Sequence, residues 1–349
     1  MNLRKNLLVL IFILAVAIIS ILLIELEVIS PKKSSQVIGF EQEKNTEPEA
    51  VLTTLSQNGV INPTISRDGK GIKFYEKNTG YAFSIDFDGN NETKISSNKL
   101  LSLYKIIWSP TKQEVIGFFN DSGGLRKTYY SYITQKASNL EKNIYDLAFS
   151  PQGDKIVYSL YDSASEAGGI YISKPDGTNP VKILSTRIQN LRVSWANNDF
   201  IYTYKESSNE GVDIFVLSVD GKIFEKIIRN VFNPAINLSS EPYTLIFSST
   251  NERGEEKNLF LYESGAKTNL EFSGDPENCA WSYDKENIYC SDGKEITKIN
   301  TQTGDKTKIY ENSNIRPSQL LVSPLENYLV FVNSRDGFVY SLKLDIKTE

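Results

Sequence analysis

Histidine is absent from all 349 residues of this chain, and that absence decides much of what its other polar side chains can do. Without imidazole there is no Ser-His-Asp or Cys-His nucleophile, and none of the usual imidazole-ligated zinc, copper or iron sites. Carboxylate pairs, a Lys or Tyr base, or oxygen-ligated calcium remain. The chain has 43 Asp and Glu residues, but no spacing among them singles out a pair. No catalytic residue, metal or cofactor is therefore assigned, and the chain reads as non-enzymatic. One segment, Asp86-Phe87-Asp88-Gly89-Asn90-Asn91-Glu92, has calcium-loop residue types but no Glu at the twelfth loop position. Its alternative, and the favoured reading, is a hairpin turn.

Two cysteines complete the reactive inventory. A hairpin turning at Asp284-Lys285 sets Trp281 opposite Ile288 and, in the same register, Cys279 opposite Cys290. Directly opposed positions of an antiparallel pair lie within disulfide reach. The pair is a disulfide candidate in an oxidising compartment, with two buried free thiols as the alternative.

The elements that must position these residues follow from a repeat. An aromatic or aliphatic residue, then Ser, then a turn recurs as Trp108-Ser109-Pro110, Phe149-Ser150-Pro151, Trp281-Ser282-Tyr283 and Val322-Ser323-Pro324. Weaker copies are Ile65-Ser66-Arg67, Trp195-Ala196-Asn197 and Leu238-Ser239-Ser240. The second position falls at 66, 109, 150, 196, 239, 282 and 323. A fixed period of roughly 40–50 residues with strand content in every unit predicts a β-propeller, here all-β with seven four-stranded blades.

The third unit shows how a repeat becomes a blade. Leu147-Ala148-Phe149 is an apolar inner strand, and Ser150-Pro151-Gln152-Gly153-Asp154 is a turn. Lys155 to Tyr161, Gly169 to Ser173 and Val181 to Leu184 supply three more strands, rich in β-branched and aromatic residues. Asp-Gly pairs at 68–69, 88–89, 176–177, 220–221, 292–293 and 336–337 read as hairpin turns in a common register. The last unit stops one strand short, and the strand candidate 51–55 ahead of the first unit is expected to complete it. That places the propeller at 51–345.

Before the propeller the composition changes. Residues 1–6 carry Arg4 and Lys5. Residues 7–24 hold no charge and only Ser20 as an interruption, and as a helix they span about 27 Å, close to the hydrocarbon thickness of a bilayer. The expectation is an uncleaved signal anchor with the basic end cytoplasmic, a polar stalk over 25–50 and the propeller on the extracytoplasmic side of the membrane. A cleaved signal peptide is the alternative, though 25–31 holds no small-x-small site.

Net charge is −5, and no basic stripe interleaves with aromatics, so nucleic acid is set aside as a partner. In a propeller the blade-to-blade connections gather at one end of the central channel. Here they are read as 139–143, 187–190, 229–230, 273–278 and 312–317. Arg187, Arg229 and Arg316 fall in these segments, a candidate basic mouth for a partner bearing carboxylates. Solvated loop arginines are the alternative.

Trp108-Ser109-Pro110, Phe149-Ser150-Pro151-Gln152-Gly153-Asp154-Lys155-Ile156 and Ile170-Tyr171-Ile172-Ser173-Lys174-Pro175-Asp176-Gly177 resemble the WD40-like PD40 repeat of TolB-like propellers and of prolyl-oligopeptidase-type peptidases. The resemblance covers roughly 62–345. It implies the propeller and an envelope-facing binding role. The chain has no room for the α/β domain of TolB, and for a hydrolase domain it has neither room nor a histidine, so no catalytic residue carries over. The expected function is a membrane-anchored, extracytoplasmic platform for an envelope protein. Binding of glycan or peptidoglycan fragments is the alternative, and a carboxylate-based carbohydrate-active enzyme a more distant one.

Overall fold

The computed structural model describes residues 51–344 apart from 123, 208 and 209. The anchor and stalk expected over 1–50 lie outside the described residues. Among the described residues no helix is long and apolar enough to cross a membrane.

Seven antiparallel four-stranded sheets follow one another around a ring. Blade 3 is made of Ile144–Phe149, Ile156–Asp162, Ala167–Ser173 and Val181–Thr186. Its inner strand starts at Ile144 rather than Leu147. Exposed Tyr145 and polar Asp146 look like loop residues, yet the segment pairs with the second strand across a bulge between Ile144 and Asp146.

The recurrent serine clasps the first hairpin of a blade. Ser150 is buried; its hydroxyl accepts the Lys155 N–H at 3.1 Å and donates to the Asp154 carboxylate at 2.8 Å. Ser323 repeats this with Tyr328 N–H and Asn327, and Ser282 with Asn287 N–H and Asp284. Blade 4 has Ala196 at the motif position because the next residue does the work. Asn197 Oδ1 accepts the Asp199 and Phe200 N–H groups at 3.1 and 2.9 Å.

The Asp-Gly pairs do not share one register. Asp68-Gly69 joins an inner strand to a second strand. Asp88-Gly89, Asp176-Gly177 and Asp220-Gly221 join third to outer strands, and Asp292-Gly293 and Asp336-Gly337 join second to third strands. All six glycines have positive φ, so the pair marks a tight reversal wherever one is needed.

The core lies between blades. Tyr202, Ile214 and Val216 of blade 4 pack on Leu245, Phe247 and Tyr262 of blade 5. Leu55, Ile72, Phe74, Ile85 and Phe87 pack on Val330 and Val339 of blade 7. The inner strands leave backbone edges along the channel, and side chains of the preceding blade satisfy several of them. Asn62 Oδ1 accepts Ile106 N–H at 2.9 Å, Asp146 Oδ2 accepts Val193 N–H at 3.1 Å, and Asn278 Oδ1 accepts Gln319 N–H at 3.1 Å. Asn237 Nδ2 donates to the Cys279 carbonyl at 2.8 Å.

The ring closes on its N-terminal strand. Leu52–Thr54 is the outer strand of blade 7, pairing Leu52 with Leu342 and Thr54 with Tyr340. In blade 6 the buried Cys279 and Cys290 face each other in register and are bonded to each other. Closing so short a loop restricts the unfolded chain by about 3 kcal/mol. Reduction is expected to lower the urea midpoint by the corresponding amount. An unchanged midpoint in reductant would show that blade 6 does not depend on the bond.

Candidate functional site at the upper channel mouth

Antiparallel order gives the ring two different ends. Blade-to-blade connections and second-to-third loops share one, called upper here; inner-to-second and third-to-outer turns share the lower. Inner strands therefore begin at the upper mouth of the channel.

Tyr145 and Asp146 follow Ile144 at the start of the inner strand of blade 3, and Arg192 is the second residue of Leu191–Trp195, the inner strand of blade 4. The Arg192 guanidinium lies 2.8 Å from Glu206 and 3.7 Å from Asp146. The Tyr145 hydroxyl also donates to Glu206, and the Arg192 guanidinium lies 5.6 Å from the Tyr145 ring centroid. This chain of contacts joins two blades at the rim of the channel. Behind it, burial pushes the Lys127 ammonium below its ordinary pKa, and the Asp146 carboxylate opposes that shift. Burial pushes the Tyr204 phenol well up, with the Arg192 charge opposing.

Apolar side chains flank this network. At the upper end, the large apolar side chains left exposed are Leu101 at 64 %, Tyr104, Leu125 at 56 %, Tyr145 and Ile188. They come from the connection into blade 2, its inner strand, its second-to-third loop, the start of blade 3 and the connection into blade 4. Three consecutive blades thus carry them all. Tyr104 sits edge-on to Phe118, and Phe118 lies between the Lys105 and Lys127 ammonium groups at 5.2 and 6.0 Å.

The three arginines expected to form a basic mouth are all exposed but differently placed. Arg187 is in the connection from blade 3 to blade 4. Arg229 is not in a loop: the outer strand of blade 4 runs Phe224–Phe232, past a left-handed residue at Asn230. There its charge helps hold the Asp213 carboxyl low, after a larger effect of the Lys226 hydrogen bond. Arg316 precedes the inner strand of blade 7, its N–H donating to Asn333 Oδ1 at 2.9 Å. Blades 3 and 4 lie across the ring from blade 7, so the three do not share one sector. Arg192, on an inner strand, meets two carboxylates at the mouth, and no local signal in the sequence marks it.

Asp86 to Glu92 is the turn between the third and outer strands of blade 1. Asn90 N–H donates to Asp88 Oδ1 at 3.0 Å and Asn91 Nδ2 to Asp86 Oδ2 at 2.8 Å. Among the described residues no group of three or more Cys, Asp or Glu is placed to hold a metal ion.

Two open cavities lie away from the mouth. One, of about 590 Å³, runs along the rim between the outer strand of blade 5 and the turn 301–304 of blade 6. The other, of about 480 Å³, is at the lower end of blade 1, lined by Ser66, Arg67, Asp68, Lys73, Ser84 and Asp86. Neither is lined by Trp or Tyr. Beside the second, Lys73 Nζ donates to the Lys112 carbonyl at 3.0 Å. Burial and then the Lys73 charge push the Lys112 pKa down to about 8. A base whose folded pKa is lowered binds fewer protons folded than unfolded between about pH 8 and its ordinary value near 10.5. Stability should therefore rise with pH through that window. Replacing Lys112 with Met should flatten that rise in a pH series of thermal unfolding; an unaltered slope would rule the lysine out.

No protein-family model and no curated protein matches the sequence. Solved structures do match. An oligogalacturonate lyase in complex with manganese superposes with a TM-score of 0.64 at 11% identity, over 85% of this chain and 93% of that one. The oligogalacturonate lyase of Vibrio parahaemolyticus gives 0.62 at 10%, over 87% and 96%. The β-propeller domain of Cps50 (Swd1) from Myceliophteria thermophila gives 0.59 at 9%, over 85% and 100%. At these identities the likeness shows the fold alone: the chain is a seven-bladed β-propeller of four-stranded blades.

Proposed function

We propose that this chain is a non-catalytic, membrane-anchored, extracytoplasmic propeller of the TolB-like kind. Its partner is another protein of the cell envelope, bound through the upper ends of blades 2, 3 and 4. The observation that carries this reading is the concentration of Leu101, Tyr104, Leu125, Tyr145 and Ile188 on that sector, beside the Arg192–Glu206 pair. Exposed apolar residues gathered on one face and edged by charge are the composition of a protein interface. The PD40-like repeat points the same way.

A glycan ligand is the second reading. It draws on the exposed Tyr104 and Tyr145 rings, the second of them against the Glu206 carboxylate and the Arg192 guanidinium, and on the carbohydrate enzymes among the structural neighbours. A carbohydrate-active enzyme would need a carboxylate pair facing a cleft. The Asp146 and Glu206 carboxylates instead share Arg192.

Affinity capture with the full chain in mild detergent, crosslinked in envelope extract, tests the proposal. One reproducible protein partner is expected. A Leu101→Glu, Leu125→Glu, Ile188→Glu variant should lose capture by about tenfold or more while keeping its thermal midpoint. Capture that survives these changes but falls on reversing Arg316, across the ring beside blade 7, would move the interface off this sector. Retention on purified wall glycan without a protein partner would favour the second reading.

A further inference from the structure

The lower end of blade 7 carries a feature the proposed function does not use. The outer strand Leu52–Thr54 runs upward, from the level of Leu342 to that of Tyr340, so Val51 lies at the lower end. Lys343 N–H donates to the Val51 carbonyl at 3.0 Å, and Leu344 N–H to the Asn327 carbonyl at 2.9 Å. The polypeptide therefore enters the propeller against the lower turn of blade 7. Leu325 in that turn is 76 % exposed, more than any other large apolar residue among those described. The lower turn of blade 6 is drawn alongside by a 2.6 Å bond from Tyr283 N–H to Glu326 Oε1. Tyr283 is itself exposed, with the Lys285 ammonium 5.6 Å from its ring centroid. Val51 is exposed too, and exposed Lys343 and Arg67 flank the group. Of the nearby carboxylates, Glu326 accepts the Tyr283 N–H, Asp284 the Ser282 hydroxyl and Asp68 the Ser66 hydroxyl, while Glu286 is exposed beside Lys285.

We propose that Val51, Tyr283 and Leu325, with Lys285, Lys343 and Arg67 around them, form a contact with the surface of the lipid bilayer. The inference rests on the anchor reading given under Proposed function. Apolar and aromatic tips edged by Lys and Arg are what partitions into a headgroup layer, where amphipathic cations keep their charge in water. Three apolar tips bind weakly alone. A tether that joins the propeller at the same end raises the local concentration of lipid and makes a weak contact sufficient. The occupant is thus identified by the lower position of Val51, the point at which residues 1–50 join the propeller. The consequence is orientation: the upper sector of blades 2, 3 and 4 faces away from the bilayer.

The test uses the full chain in vesicles of phosphatidylcholine with a minority of phosphatidylglycerol, some headgroups carrying a nitroxide. Cys279 and Cys290 are bonded to each other, so a thiol introduced by Leu325→Cys takes an environment-sensitive fluorophore alone. Leu101→Cys reports the upper end in the same way, and both positions are exposed enough to accept the label. The expected result is blue-shifted emission, quenched by the nitroxide, at 325 and neither effect at 101. A chain that floats with vesicles while both labels read water, or while the label at 101 is the quenched one, overturns the proposed contact and leaves the anchor standing. A chain that does not float overturns the anchor and this contact with it.

Discussion

Deleting residues 51–56 is expected to destroy the cooperative unfolding transition of the whole propeller rather than to fray one blade. The segment is short, but three kinds of interaction end on it. It pairs with the third strand of blade 7 from Leu52–Leu342 to Thr54–Tyr340, and Leu55 N–H adds a 2.8 Å bond to the Val339 carbonyl. The buried Ser56 hydroxyl accepts the Val339 N–H at 3.0 Å, and an orphaned buried N–H costs about 1–3 kcal/mol. Leu55 is 1 % exposed and packs with Ile72, Phe74, Ile85, Phe87, Val330 and Val339. Truncating such a leucine alone costs about 2–5 kcal/mol. Together these approach the roughly 5–15 kcal/mol that holds a typical domain folded. The deletion also bares a strand edge open to intermolecular pairing. Size-exclusion chromatography and urea unfolding should show aggregation and no sharp transition, with Leu55→Ala as the intermediate case. A deletion variant that unfolds at the parent midpoint would refute closure by this strand.

The second large effect is expected at Asp146. Its carboxylate accepts the Val193 N–H of the next blade, lies 3.7 Å from Arg192 and stabilises the charge of the buried Lys127. Asp146→Ala removes all three at once, leaving a buried ammonium uncompensated and a backbone donor unpaired. Breaking one side of a buried ionic arrangement costs about 3–5 kcal/mol. Asp146→Asn keeps an acceptor for Val193 and should cost clearly less. Lys127→Met in the Asp146→Ala background should recover part of the loss, because the stranded charge goes with it. Urea midpoints of the three variants decide the matter. Equal losses for Ala and Asn, with no recovery from Lys127→Met, would mean that neither the charge nor the N–H matters.

The fold was legible because the device that builds each blade is local. A buried Ser hydroxyl clasps its own hairpin within about five residues, so selection for the clasp writes a period into the sequence. Where the clasp moves by one position, at Asn197, the period blurs. Asp-Gly pairs say that the chain reverses, but not which of three turns they occupy, since the same positive φ serves all of them. The mouth was not legible for a related reason. Tyr145, Arg192 and Glu206 meet across two blades, and no spacing within a unit encodes that meeting. Arg229 looked like a loop residue because its polar surroundings resemble a connection. In the structure the outer strand of blade 4 continues through a left-handed Asn230 to Phe232. Outer strands bury little, and polar composition does not separate them from loops.

Ring closure by the strand Leu52–Thr54 also imposes an order in time. During synthesis this strand appears before any blade exists, while its partner around Tyr340 is made only after the first six blades. Six blades can collapse behind it, yet the seventh stays open until translation has passed its third strand. A product cut short before Val339 leaves the strand Leu52–Thr54 unpaired and its edge available to proteases and chaperones. The closing strand is therefore a built-in check that blade 7 has been made, and only a closed ring hides it.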